Sequence, residues 1–536
     1  MEEKKYLYGA SVQGIQDFIF QRNKLKEIVG ASELVSNICK DMFEDFGGKP
    51  EKSIVRAAGK IIHIFENEAE CKKAVLEFPK KVMTEAPGIT INQAVVMLEG
   101  DLSDYETKSK VLEQNLRIQR NKATRSMTLG LLATKRSPST GLPAVIMDKG
   151  EFLDEASARK TQNTQTTKGL MKTLSGDDNI QHQEIAYNIE ELAGEKSWVA
   201  IMHADGNGLG KIVETVCKNA DDAKIFSNLL DKITVKAARH AYKYVESEFK
   251  GKIIPIRPIV LGGDDLTVIC RADLAVDFTK AFLEEFEKQS IEQLQALNYE
   301  AVKKGLTACA GIAFVKASYP FHYAYNLAES LCSHAKKKAK LINKDLAPSC
   351  LMFHKVQDSF IEDYNEIVER ELTPQKEPKL TFEFGPYYCG KYAETFGAQC
   401  NITVEDLLKN VKQLDGKEGN AIKSHIRQWL SLLFDNVEAA NQKMKRLRST
   451  NPDAAKLIDE KYEDAAKLEA IPYYDILSLA TILIKRTSNN PPRHAELDSA
   501  SPMFKEIADQ VRNDVSGKSV VFRSTLKAKT ERRQTP

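Results

Sequence analysis

Along the first two-thirds of the chain, short β-branched apolar runs alternate with glycine-bearing turns. Toward the end they give way to a helical rhythm. Ile259-Val260-Leu261 and Leu266-Thr267-Val268-Ile269 flank Gly262-Gly263-Asp264-Asp265, a pattern that predicts a buried hairpin with two carboxylates at its tip. Upstream, Trp198 to Ala204 reads as an apolar strand ending in Asp205-Gly206-Asn207-Gly208-Leu209-Gly210. Ile212, Val213 and Val216 follow Leu209 at helical spacing. From about Asp221 to Phe249, Phe226, Leu230, Ile233, Ala237 and Ala241 share one face of an amphipathic helix that covers the sheet. Gly305 to Phe314 is a further strand, and Ala324 to Lys336 a helix ending in lysines. Beyond about 346 the pattern is mostly helical, and Ile422, Ile426, Trp429, Leu430 and Leu433 form a core stripe.

The same pattern occurs twice. Tyr6 to Ile15 is again a strand running into a glycine turn and a helix, and laying Gly14 on Gly208 places Ser11 where Asp205 stands. Ile54 to Phe65 parallels the hairpin, with Gly59 and Lys60 in the places of Asp264 and Asp265. Gly88-Ile89-Thr90 echoes Gly305-Leu306-Thr307 ahead of another apolar strand, Gln93 to Leu98. The first copy lacks every carboxylate of the second.

These acids suggest chemistry. Adjacent carboxylates at a strand end are costly unless a cation neutralises them, so Asp205, Asp264 and Asp265 together suit a two-metal phosphoryl-transfer centre. A glycine turn opening a helix presents orphan amides and the positive end of a dipole, which favours phosphate at Gly206, Asn207 and Gly208. The simpler roles are an acidic turn for the pair and a helix cap for Asp205.

Composition adds limits. A chain of 536 residues predicts two to four domains, and a formal net charge of +2 announces no global nucleic-acid field. Nine cysteines without a Cys-x-x-Cys pair fit a reducing cytosol, and Cys389 and Cys400 read as ordinary buried thiols. The first residues lack a signal-peptide run and no stretch is long enough to span a bilayer, so a soluble cytoplasmic protein is expected. Residues 126–195 are poorly periodic, with a loop at Arg136 to Ala144. The breaker cluster Ser488 to Arg493 and the basic stretch Lys518 to Pro536 predict a flexible tail.

Asp205-Gly-Asn-Gly followed by Leu261-Gly-Gly-Asp-Asp resembles the second palm of the polymerase-like large subunit of type III CRISPR effector complexes, kin to GGDEF nucleotide cyclases. Gly14 to Val35 resembles that family's first palm. The resemblance implies an α+β chain: a degenerate first palm (1–125), an inter-palm segment (126–195), a catalytic second palm (196–345), a mostly helical domain (346–485) and the tail (486–536). Both palms would be ferredoxin-like, of the nucleotide cyclase and polymerase kind. It further implies Mg²⁺ or Mn²⁺ on Asp205, Asp264 and Asp265 as catalytic residues, and ATP as substrate. Gly206, Asn207, Gly208, Gly262, Gly263 and Lys336 would contact one nucleotide; Ser11, Gln13 and Gly14 would contact an acceptor. The expected product is a 3′–5′-linked, cyclic oligoadenylate used in antiviral defence, with effector subunits and guide or target RNA as partners. The family's zinc finger has no cysteines to build it between Cys71 and Cys217, and no His-Asp dipeptide marks a nuclease domain, so neither is expected. Three alternatives stay open: a synthase that works alone instead of in an RNA-guided complex, a non-catalytic nucleotide- or RNA-binding scaffold, and a diguanylate-cyclase-like enzyme. Against the last, Gly-Gly-Asp-Asp-Leu replaces the Glu-Phe ending, and Arg257 is followed three positions on by Val260 instead of an acid.

Overall fold

The computed structural model describes residues 4–483 except 58, 100, 123–132, 167, 195–196, 250, 358–362, 377–378, 401, 460–461 and 463–467. The tail expected over 486–536 lies outside these residues.

The first module is a four-stranded sheet built from β1 (Lys5–Gln13), β2 (Ser53–Ala57), β3 (Lys60–Phe65) and β4 (Thr90–Leu98), in the order β2-β3-β1-β4. Every neighbouring pair is antiparallel. A short helix α1 (Ile15–Ile19) follows β1, then α2 (Leu25–Cys39); α3 (Glu68–Glu85) links β3 to β4, and α4 (Tyr105–Arg120) follows. Strand, helix, two strands, helix, strand is the ferredoxin-like arrangement. Asn67 caps α3 by accepting from the Glu70 amide at 2.8 Å, which satisfies one of the orphan donors of the first turn.

A hairpin of β5 (Ala144–Asp148) and β6 (Glu151–Asp154) and a helix α5 (Glu155–Thr166) come next. The segment read from sequence as poorly periodic is thus folded. On α5 the buried side chains are largely polar (Ser157, Lys160, Thr161, Thr164), so no apolar rhythm announces that helix.

The second module contains β7 (Trp198–Gly206), α6 (Leu209–Val216), α7 (Ala220–Glu246), β8 (Ile256–Gly262), β9 (Asp265–Arg271), α8 (Ala275–Leu294), β10 (Ala308–Lys316), α9 (Phe321–Ile342) and β11 (Cys350–Lys355). With β12 (Tyr387–Tyr388) they form a sheet in the order β12-β11-β10-β7-β9-β8. The sheet therefore continues past residue 345, because the apolar run Cys350 to Phe353 pairs parallel with β10. Beyond it, α10 (Val404–Gln413), α11 (Lys417–Asp435), α12 (Val437–Thr450) and α13 (Tyr473–Leu483) complete a mostly helical part around the buried Trp429.

Strand register confirms the repeat residue by residue. Ala10 faces Ile61 as Ala204 faces Leu266, so Ser11 and Asp205 occupy the same step of their sheets. On the other side Ser11 pairs with Asn92 and Asp205 with Cys309. Gly14 and Gly208 both take the left-handed conformation, at φ 67° and 71°, and both open the next helix.

Helix α9 packs unusually close to β10. A Cβ at Gly311 would lie 2.0 Å from the Ala328 carbonyl oxygen and 2.5 Å from the Cys332 nitrogen, so helix and strand meet backbone to backbone. Ala324, Ala328, Ala335 and Ala339 make the helix face small enough for this approach. Among the described residues, no helix is long and apolar enough to cross a membrane.

Candidate functional site

Three backbone devices gather the acids. Strand β7 runs out at Asp205, and the turn between β8 and β9 delivers Asp264 and Asp265 beside it. Gly263 takes φ 65° to close that turn. Its amide donates to Asp231 Oδ1 at 3.2 Å, and its carbonyl accepts from Thr234 Oγ1 at 2.6 Å, so α7 grips the turn from behind. Gly262 lies against the same carboxylate: a Cβ there would come within 3.3 Å of Asp231 Oδ1. Gly206 allows the final approach, since a Cβ there would lie 2.6 Å from Leu209 Cδ1 and 3.3 Å from Asp264 Cβ.

Asp205, Asp264 and Asp265 each place a carboxylate oxygen within 4.8 Å of the others. Burial, and then the Asp205 carboxylate, push the Asp264 carboxyl above its ordinary range. Burial followed by Asp264 and Asp205 lifts Asp265 to about 7. Such crowding is unfavourable to the charged forms and is relieved by a cation. An all-oxygen donor set of this size fits a hard divalent ion such as Mg²⁺ or Mn²⁺.

Lys336 completes the cluster from α9. Its ammonium pairs with Asp205 Oδ2 and donates to the Gly206 carbonyl at 2.9 Å. Burial pulls that ammonium down, yet the Asp205 carboxylate outweighs it and the net displacement is upward. Asn207 is turned inward. Its amide donates to the Thr307 carbonyl at 2.8 Å, and Nδ2 reaches Thr307 Oγ1 at 3.0 Å and the Ala347 carbonyl at 3.4 Å. This brace engages the Asn207 amide, which leaves the exposed Gly208 and the first turn of α6 facing outward.

Residues 198–345 match the family model of the Cas10/Cmr2 second palm domain. That segment is similar to a Cas10/Cmr2 second palm. Over 90% of its length the chain shares its fold with the type III-A protein Csm1. It superposes on the Csm1–Csm4 cassette in complex with AMPPNP at a TM-score of 0.52, with 13% identity over 90% of this chain and 70% of that one. The cassette in complex with pppApApA gives a TM-score of 0.51 at 14% identity, again over 90% and 70%. The Csm1–Csm4 subcomplex of the type III-A interference complex gives 0.50 at 13% identity, with the same coverage. No curated protein sequence matches the chain.

Within this matched segment, the structure brings together Asp205, Gly206, Gly262, Gly263, Asp264, Asp265 and Lys336. Ser11, Gln13 and Gly14 stand on the other sheet, where Gln13 Nε2 donates to Ser11 Oγ at 2.9 Å and the space around Gly14 is open. The first module reaches the palm through α1 and the loop after it. Gln16 Nε2 donates to the Tyr325 hydroxyl at 3.3 Å and to Glu329 at 3.5 Å. The Phe20 ring lies 4.4 Å from that of Tyr325, which meets His203 edge-on at 5.7 Å.

Sequence reasoning passed over Asp231, Thr234, Thr307, Tyr325 and Glu329. Asp231 and Thr234 were hidden in the helix whose apolar face alone was read. Thr307 was visible as part of the repeated Gly-x-Thr, and its match to Thr90 could have flagged it.

Proposed function

We propose that this chain is a metal-dependent nucleotidyltransferase that joins ATP units through 3′–5′ bonds into cyclic oligoadenylates, as a subunit of a type III CRISPR effector. One observation carries the reading: three convergent carboxylates with a lysine in the second module, and none of them at the matching steps of the first. A structural scaffold gains nothing from clustered, half-buried acids. Relatives of the same fold have been seen with AMPPNP, pppApA and pppApApA, an ATP-like molecule and short adenylate chains, which supports a nucleotide ligand here.

In this reading Asp205, Asp264 and Asp265 hold Mg²⁺ or Mn²⁺. The metal supplies charge neutralisation on the transferring phosphate and activates the attacking ribose hydroxyl. Asp264 and Asp265 must shed their protons to bind a cation, so metal binding competes with protons and weakens as pH falls below about 7. Lys336 acts as a point charge toward phosphate, and the first turn of α6 offers it amides. The first module, with Ser11, Gln13 and Gly14, holds the acceptor nucleotide against the second. Its short helix already touches α9, which carries Lys336.

The test is incubation with ATP and Mg²⁺ or Mn²⁺, with and without a partner complex loaded with target RNA. A phosphodiester product that disappears in the Asp264→Ala/Asp265→Ala double variant is expected. No product under either condition, or an unchanged yield from the variant, ends the proposal. Exchanging GTP for ATP separates it from diguanylate cyclase chemistry, and calorimetric binding without turnover would favour a scaffold.

A further inference from the structure

Helix α5 belongs to the segment that looked like a linker, yet it sends a lysine into the first module. Lys160 is only 1% exposed. Its ammonium donates to the Phe18 carbonyl at 2.6 Å and to Gln21 Oε1 at 2.9 Å, and stands 4.1 Å from the centre of the Phe18 ring. Phe18 lies in α1, the helix that Gly14 opens, and the Phe18 amide donates back to the Gly14 carbonyl at 2.9 Å. Lys160 therefore caps the end of the short helix whose beginning is the Gly14 turn. A five-residue helix has little stability of its own and depends on such tertiary contacts.

The lysine cannot easily shift. A Cβ at Gly30 would lie 2.0 Å from the Lys160 carbonyl oxygen, so α5 and α2 cross at backbone contact. Asn163 Nδ2 also donates to the Gly30 carbonyl at 3.0 Å. From the residues Lys160 grips, the chain passes directly to α9. The Phe20 ring packs at a tilt against that of Tyr325, and Asn23 Oδ1 accepts from the Phe321 amide at 2.7 Å, capping the first turn of the helix that carries Lys336. Burial lowers the Lys160 ammonium to about 8, with Glu27 and Asp154 opposing that trend, so it remains largely charged at neutral pH.

We propose that Lys160 is a positioning residue that fixes the Gly14 turn of the first module against the helix carrying Lys336. The role rests on the reading of that turn as an acceptor site, and the experiment separates the two. In the full chain, Lys160→Met keeps the length and apolar stem of the side chain while removing its donors. Hydrogen exchange at the Phe18 and Phe20 amides should accelerate about ten-fold or more, the effect of losing one charge-assisted hydrogen bond. The Mn²⁺-induced rise in melting temperature should stay as in the parent, because the acids are untouched. The ATP concentration for half-saturation in the presence of Mn²⁺ should rise about ten-fold by the same loss. Should Lys160→Met fail to fold, Gln21→Ala removes one acceptor at an exposed position and is expected to move exchange in the same direction by less. Unchanged exchange at Phe18 and Phe20 in the variant that folds overturns the inference, whatever happens to nucleotide. Faster exchange in a chain whose parent binds no ATP upholds the positioning contact and overturns the acceptor-site reading.

Discussion

Replacing Asp265 with asparagine should make the metal-free protein more stable at alkaline pH, although it removes a residue of the proposed active site. The Asp265 carboxyl is lifted from an ordinary 3.8 to about 7 by burial and by its two acidic neighbours. A carboxyl that binds its proton more tightly when folded contributes most below the unfolded value. That contribution is lost as pH climbs through the folded value, here between about 4 and 7. A rise of about three pH units at about 1.4 kcal/mol each corresponds to roughly 4 kcal/mol. Because Asp205 and Asp264 share the repulsion and relax when one acid is gone, a single substitution recovers on the order of half, about 2 kcal/mol. For a folded unit this large that is a few degrees of melting temperature. The assay is thermal unfolding in EDTA at pH 5 and pH 8, followed by titration with MnCl₂. The parent should melt lower at pH 8 than at pH 5, and Asp265→Asn should narrow that gap. Manganese should raise the parent's melting temperature and leave the variant nearly unmoved. A variant that melts no higher than the parent at pH 8 in EDTA, or that gains as much from manganese, would show that the three acids do not form the crowded site described.

Lys336→Met should raise the ATP concentration for half-saturation about ten-fold, the loss of one charge-assisted contact, while manganese still stabilises the protein; parallel ATP and metal titrations check both. Gly311→Ala should cost about 3 kcal/mol, at the upper end for an overpacked interior, because the new methyl meets the backbone of α9 instead of a yielding side chain. Urea unfolding measures that loss, and product yield should fall with it as Lys336 is carried away from Asp205.

The acids, their glycines and the duplication were legible because each rests on short-range rules. Hairpin tips, strand-to-helix turns and repeated spacing all write themselves locally, and the register of Ser11 on Asp205 survived to the residue. Lys336 was found from its place in a familiar helix, but its pairing with Asp205 spans 131 positions and left no local trace. The inward turn of Asn207 was illegible for a similar reason: its partners Thr307 and Ala347 come from β10's approach and from the loop before β11. Helix α5 was missed because a buried face made of serine, threonine and lysine looks like a linker to any reading based on apolar period. Strand β11 was missed because six residues after a long helix are too few to set a rhythm.

The two hairpins match in register but not in how their loops bend. In the second, Gly263 is left-handed and Asp264 is not; in the first, Gly59, which stands where Asp264 does, is itself left-handed at φ 74°. An aspartate introduced at 59 to mirror Asp264 would be forced into that conformation, and its Cβ would press to 2.5 Å from Ile15 Cδ1. Restoring acids to the early half would thus demand a different turn as well as different side chains. The lack of acids in the early half is matched by its main chain.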